Sequence, residues 1–133
     1  MTEHDDPVKV LRYWQERALN LLMRREHSIV ELTQKLTTKG CPEDVLPKVL
    51  AFCHEHNYVS LERFAEMFAR NQANLGYGPH RITMQLKQHQ VPSDLINIAL
   101  EAADFKAAKA IALRKIGAKP ELKVKAALYR RGF

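Results

Sequence analysis

Cys53-His54-Glu55-His56 places four side chains that can ligate a metal or move a proton side by side. Zinc needs ligands that converge from spaced pairs, such as histidines one helical turn apart or a C-x-x-C with a second pair. Consecutive residues on a helix point around its axis, so this run is expected to hold no metal. Cys53 then belongs to an apolar face, and His54 and His56 point outward near a helix end. His27, His80 and His89 could act as general acids or bases, but none stands beside a nucleophile with an orienting carboxylate. Ser28 opens a Ser-x-x-Glu pattern that assigns its hydroxyl to capping a helix, with Glu31 reaching back to the cap. A phosphate-binding G-x-x-x-x-G-K-[ST] run does not occur in the sequence, so nucleotide hydrolysis is not expected. The chain reads as a binding protein rather than an enzyme, with no cofactor.

The remaining chemistry is charge. The 133 residues carry a net charge of +6. Residues 1–60 balance at −1 and residues 61–103 at zero. Residues 104–133 hold nine bases, Lys106, Lys109, Arg114, Lys115, Lys119, Lys123, Lys125, Arg130 and Arg131, against Asp104 and Glu121. Such asymmetry points to a polyanionic partner, nucleic acid or an acidic protein surface, with a solvated basic face as the alternative. Few aromatics interleave with these bases, Tyr129 being the nearest, so a stacking platform for single strands has little support here. Arg24 and Arg25 can cap a helix C-terminus or meet a partner. Arg63 and Arg70 lie two turns apart on one helix and can meet a partner together or pair with Glu62 and Glu66. Tyr77, between Gly76 and Gly78, and Arg81 complete the candidate contacts.

These residues must be positioned by helices, because the apolar periodicity is helical throughout. Residues 7–25 place Val10, Trp14, Leu19, Leu22 and Met23 at helical spacing. Leu32 and Leu36 follow Ser28, and Gly40 stands where a left-handed residue ends a helix. Asp44 or a near neighbour starts the next helix, with Pro47 in its first turn. Residues 61–74 form another helix capped by Ser60. Trp14, Tyr58, Phe64, Phe68 and Phe105 are expected in the core. A shift of fifty residues aligns Leu32, Leu36, Cys41, Pro42, Asp44, Leu46 and Leu50 with Ile82, Leu86, Val91, Pro92, Asp94, Ile96 and Leu100. A further shift of forty-two sets Val124, Leu128 and Phe133 on Ile82, Leu86 and Val91. The expected fold is all-α: tandem three-helix, helix-turn-helix-like repeats in an elongated, curved array. The repeats are 1–60, with an N-terminal helix extension, 61–103, and an incomplete, basic 104–133. In this alignment Gly78 falls opposite Ser28 as a helix cap, and Pro79 is the first helical residue. The Gly-rich stretch is then a repeat junction rather than a phosphate cradle.

"RALNLLMRREHSIVELTQKL", "NYVSLERFAEMFARNQANLGYGPHRITMQL" and "LYRRGF" together resemble the RecX family, bacterial modulators of the RecA recombinase. The resemblance runs from about Arg17 to Phe133. It implies a regulatory protein that binds RecA–DNA filaments and usually suppresses RecA's ATPase, strand-exchange and co-protease activities, placing it in DNA repair, recombination and the SOS response. Some members of the family also bind DNA, so single- or double-stranded DNA is a further implied partner. The Arg-Arg-Glu-His-Ser run is among the family's most recognisable pieces and favours a contact role for Arg24 and Arg25. Leu61 replaces an acidic residue common in the family, which leaves Ser60 to cap alone. The family usually continues past Arg-Gly-Phe with a final helix, so a third repeat stopping at Phe133 is expected to leave part of its apolar face uncovered. The expected protein is a cytoplasmic monomer without a membrane span. Two other readings stay open: a direct DNA-binding helix-turn-helix regulator, and a structural adaptor repeat.

Overall fold

The computed structural model describes residues 6–133. They form eight helices and no strand: α1 (Pro7–Arg24), α2 (Ile29–Thr38), α3 (Leu46–Glu55), α4 (Leu61–Asn74), α5 (Pro79–Gln88), α6 (Ser93–Glu101), α7 (Phe105–Ile116) and α8 (Glu121–Arg130). None of the described helices is long and apolar enough to cross a membrane. The chain divides into two compact units, Met1–Phe64 and Ala65–Phe133.

In the first unit α1 packs on α2 and α3. Its core joins Trp14, Ala18 and Leu21 to Leu32, Leu36, Cys41, Val49, Cys53 and Val59. The buried face of α1 is rotated from the one its large residues suggest. Ala18 is fully buried, whereas Met23 is 83% exposed. Tyr58 also lies outside the core, 43% exposed, stacked on His56 and tilted against Phe52. α3 starts at Leu46 with Val45 as its N-cap, after a turn in which the Val45 and Leu46 amides donate to the Pro42 carbonyl.

The second unit buries Ile82, Leu86, Val91, Ile96 and Ala99 with a set of alanines, Ala65, Ala69 and Ala73 from α4 and Ala108 and Ala112 from α7. Small side chains let backbones approach: a Cβ added at Gly76 would lie 3.1 Å from the Ala112 amide nitrogen.

One hydrogen bond recurs at three helix ends. Cys41 N–H donates to the Leu36 carbonyl, Val91 N–H to Leu86 and Phe133 N–H to Leu128, each at 3.0 Å. These are the six-to-one bonds that close a helix through a residue of positive φ. That residue is Gly40 (φ 98°), Gln90 (φ 60°) and Gly132 (φ 97°) in turn. α8 contributes no fully buried residue, and Val124 and Leu128 stay half-buried where Ile82 and Leu86 are sealed.

Candidate partner-binding surface

The junction between α4 and α5 is built from residues distant in sequence. Gly78 N–H donates to the Arg131 carbonyl at 2.7 Å and His80 N–H to the Gly132 carbonyl at 3.0 Å. Gly78 is the N-cap of α5, with Pro79 in its first turn and no side-chain cap. The carbonyls of residues 131 and 132 supply what a capping side chain would. A Cβ on Gly78 would sit 2.8 Å from the Phe133 nitrogen, and one on Gly132 2.6 Å from the Arg81 Cβ, so both glycines are required by close backbone approach.

Two of the basic candidates are used at the opposite side of this junction. Arg131 donates from Nε to the Gly76 carbonyl at 2.9 Å and from Nη2 to the Leu75 carbonyl at 2.8 Å. Lys115 Nζ reaches the same Leu75 carbonyl at 2.9 Å. Cations there complement the partial negative charge at the end of α4. The Arg81 and Arg131 guanidiniums lie 3.9 and 4.7 Å from the Tyr77 ring centroid. Tyr77, Arg81, Lys115 and Arg131 are therefore brought together, and their first use is to hold the unit closed.

The α1–α2 junction gathers another group. Arg25 forms a two-pronged ion pair with Glu31, one arm at 2.9 Å. The Glu31 carboxylate thus serves Arg25, while its N–H donates to Ser28 Oγ at 3.0 Å. Burial of Glu31 raises its carboxyl pKa, but the hydrogen bond and charge of Arg25 outweigh this and set it below the ordinary value. His27 is 1% exposed, with Nδ1 2.9 Å from the Arg25 carbonyl and Nε2 2.9 Å from Lys35 Nζ. An ammonium can only donate, so Nε2 accepts and Nδ1 carries the proton. Burial and the Lys35 and Arg25 charges lower the His27 pKa, against the opposing pull of the Arg25 carbonyl and Glu31. Arg63 pairs not with Glu62 or Glu66 but with Glu26, at 2.7 Å, and donates to the Asn57 carbonyl at 2.8 Å. Asn57 is held at φ 56°. No signal in the spacing announces this bond across 37 residues.

The other candidates face solvent. Arg70 lies 3.8 Å from Glu66 and Lys125 3.3 Å from Glu121, both exposed pairs one turn apart. Such pairs contribute roughly 0.3–0.5 kcal/mol at most. Arg24, Lys106, Lys109, Arg114, Lys119, Lys123 and Arg130 are exposed, with no ion-pair partner among the described residues. Cys53 is buried in the core while His54 and His56 are exposed, so the adjacent ligand-type residues diverge. Burial pushes the Cys53 thiol up to about 11.

A groove of about 760 Å³ runs between α5 and α8, lined by Arg81, Met84, Gln85, Gln88, Tyr129 and Arg130 among others. Met84 is 65% and Tyr129 80% exposed. The sequence hint to this feature is Tyr129, an aromatic between bases.

Fold and surface together define an all-α protein of tandem three-helix domains that displays exposed cations. Residues 16–53 match the first three-helix domain of RecX and residues 62–100 the second. A regulatory protein RecX from Halorhodospira halophila is 36% identical, over 89% of this chain and 79% of that protein. One from Stenotrophomonas maltophilia (strain R551-3) is 40% identical over 65% of this chain. That match spans only 53% of the Stenotrophomonas protein, little more than half its length. A crystal structure of regulatory protein RecX superposes with a TM-score of 0.74 at 19% identity, covering 95% of this chain and 68% of that one. The chain belongs to the RecX family of regulatory proteins.

Proposed function

We propose that this chain binds the RecA recombinase and RecA–DNA filaments and inhibits recombinase ATPase, strand exchange and co-protease activity. It acts by binding, as a cytoplasmic monomer without a cofactor, and its last thirty residues belong to a basic third repeat. The observation that carries this reading, beside family membership, is the sorting of the cations. Lys115 and Arg131 are consumed by backbone carbonyls, whereas Lys106, Lys109, Arg114, Lys119, Lys123 and Arg130 are exposed with no ion-pair partner among the described residues. Exposed bases neutralise phosphates and release counterions, which makes binding salt-dependent. They also lie on two helices and the loop between rather than at the start of one recognition helix, which disfavours sequence-specific duplex reading.

The test is titration into pre-formed RecA–single-strand filaments, following ATP hydrolysis and filament length. The expected result is slowed hydrolysis and shortened filaments. No effect at any ratio, with sequence-specific duplex binding instead, supports the helix-turn-helix reading; no effect and no DNA binding supports the adaptor. Lys119→Glu with Lys123→Glu should weaken filament binding and flatten its dependence on salt.

A further inference from the structure

We propose that the groove between α5 and α8 binds an unstacked base of a single nucleic-acid strand, with Tyr129 as the stacking surface and Arg130 on the backbone phosphate. The groove's 760 Å³ falls within the range (roughly 300–1,000 Å³) of clefts that enclose small organic groups. Its lining contains Arg81 and Arg130 and no Asp or Glu side chain, so it favours an anionic ligand. Tyr129 is 80% exposed, a planar ring not committed to the core. Every base has a π-face, and stacking on such a ring tolerates any sequence.

A carboxylate of an acidic peptide would also meet the guanidiniums, but it has no ring face to stack on Tyr129. Lys123, two turns before Arg130 on α8, extends the cationic track for the neighbouring phosphate.

This inference deepens the filament reading, because such a filament holds an extended strand, but its test omits the recombinase. Fluorescence anisotropy compares a labelled oligothymidylate with an abasic strand of the same length. The intact strand should bind about 5-fold or more tightly than the abasic one. Tyr129→Ala should bring the intact strand down to the abasic level, and Tyr129→Phe should keep the preference. Both variants should retain the circular dichroism of the parent, since the side chain is exposed. Equal affinity for the two strands, no binding to either, or a preference surviving Tyr129→Ala overturns the proposal. Equal affinity combined with lost RecA inhibition in Tyr129→Ala also overturns it, and assigns the groove to a protein segment. A base preference without any effect on filaments keeps this inference and removes the filament reading.

Discussion

The starts of α2 and α5 occupy the same place in their repeats but are completed differently. At α2 the chain uses what lies within three residues: Ser28 Oγ accepts from the Glu31 amide. At α5 the cap is Gly78, without a side chain, and the His80 amide is met by the Gly132 carbonyl. The first solution is local and rests on a hydroxyl. The second depends on backbone from 52 positions away and on two glycines that let the strands of chain touch. One helix start can be repaired or lost by itself; the other is bound to the integrity of its whole unit.

The largest effect should come from adding a methyl group where the two backbones meet. Gly132→Ala combines a φ of 97° with overlap on Arg81, and should cost about 2–4 kcal/mol. Urea denaturation followed by circular dichroism measures this. A cost below that of removing the Ser28 cap would undo the contrast between the junctions. Ser28→Ala should cost about 1 kcal/mol. It should be reported by fluorescence of Trp14, the sole tryptophan, which lies in the first unit.

The helix ends extend the comparison with opposite sign. Gln90 holds the left-handed position that glycine holds at Gly40 and Gly132. Gln90→Gly should therefore stabilise by about 0.5–1 kcal/mol, read as a raised urea midpoint. A lowered midpoint would show that Gln90 is favoured there by contacts outweighing its backbone strain.

The smallest effect is expected on acidification, and it is confined to the α1–α2 junction. His27 is neutral when folded, and its pKa lies below the ordinary 6.5. The unfolded chain therefore binds the extra proton first, so the contribution is complete above about 6.5 and fades as pH falls toward the folded value. Thermal melts between pH 7.5 and 5.5 should show a falling Tm that His27→Gln flattens. The pair between Glu31 and Arg25 weakens only lower, within the carboxylate range, since Glu31 is held below its usual pKa. An equal fall in Tm with His27→Gln would assign the acid sensitivity elsewhere.

The helices and their repeat were legible because the information is local. Ser28, Gly40 and Ser60 act within a few residues of themselves, and sealed positions such as Leu32 and Ile82 recur at fixed spacing. The buried face of α1 was harder to read, because Ala18 fills a close contact that periodicity of large residues overlooks, while Met23 stands in solvent. The surface was the least legible part. Lys115 and Arg131 have the same composition signature as Lys123 and Arg130, yet bind carbonyls 40 and 55 positions back. Charge counting cannot separate a cation that closes a fold from one that remains for a partner. Gly78 was recognisable as a cap and turn residue, but the neighbour that forbids a Cβ there lies beyond any local window.

The embrace of Gly78 by residues 131–133 also sets an order of assembly. A chain is made from its N-terminus onward. α2 has its cap as soon as Ser28 and Glu31 are free to fold, whereas α5, finished early as sequence, must wait for the carbonyls of Arg131 and Gly132. During synthesis the second unit therefore stays unlatched until those residues emerge, and a ribosome stalled before them carries a first unit that is closed and a second that is not.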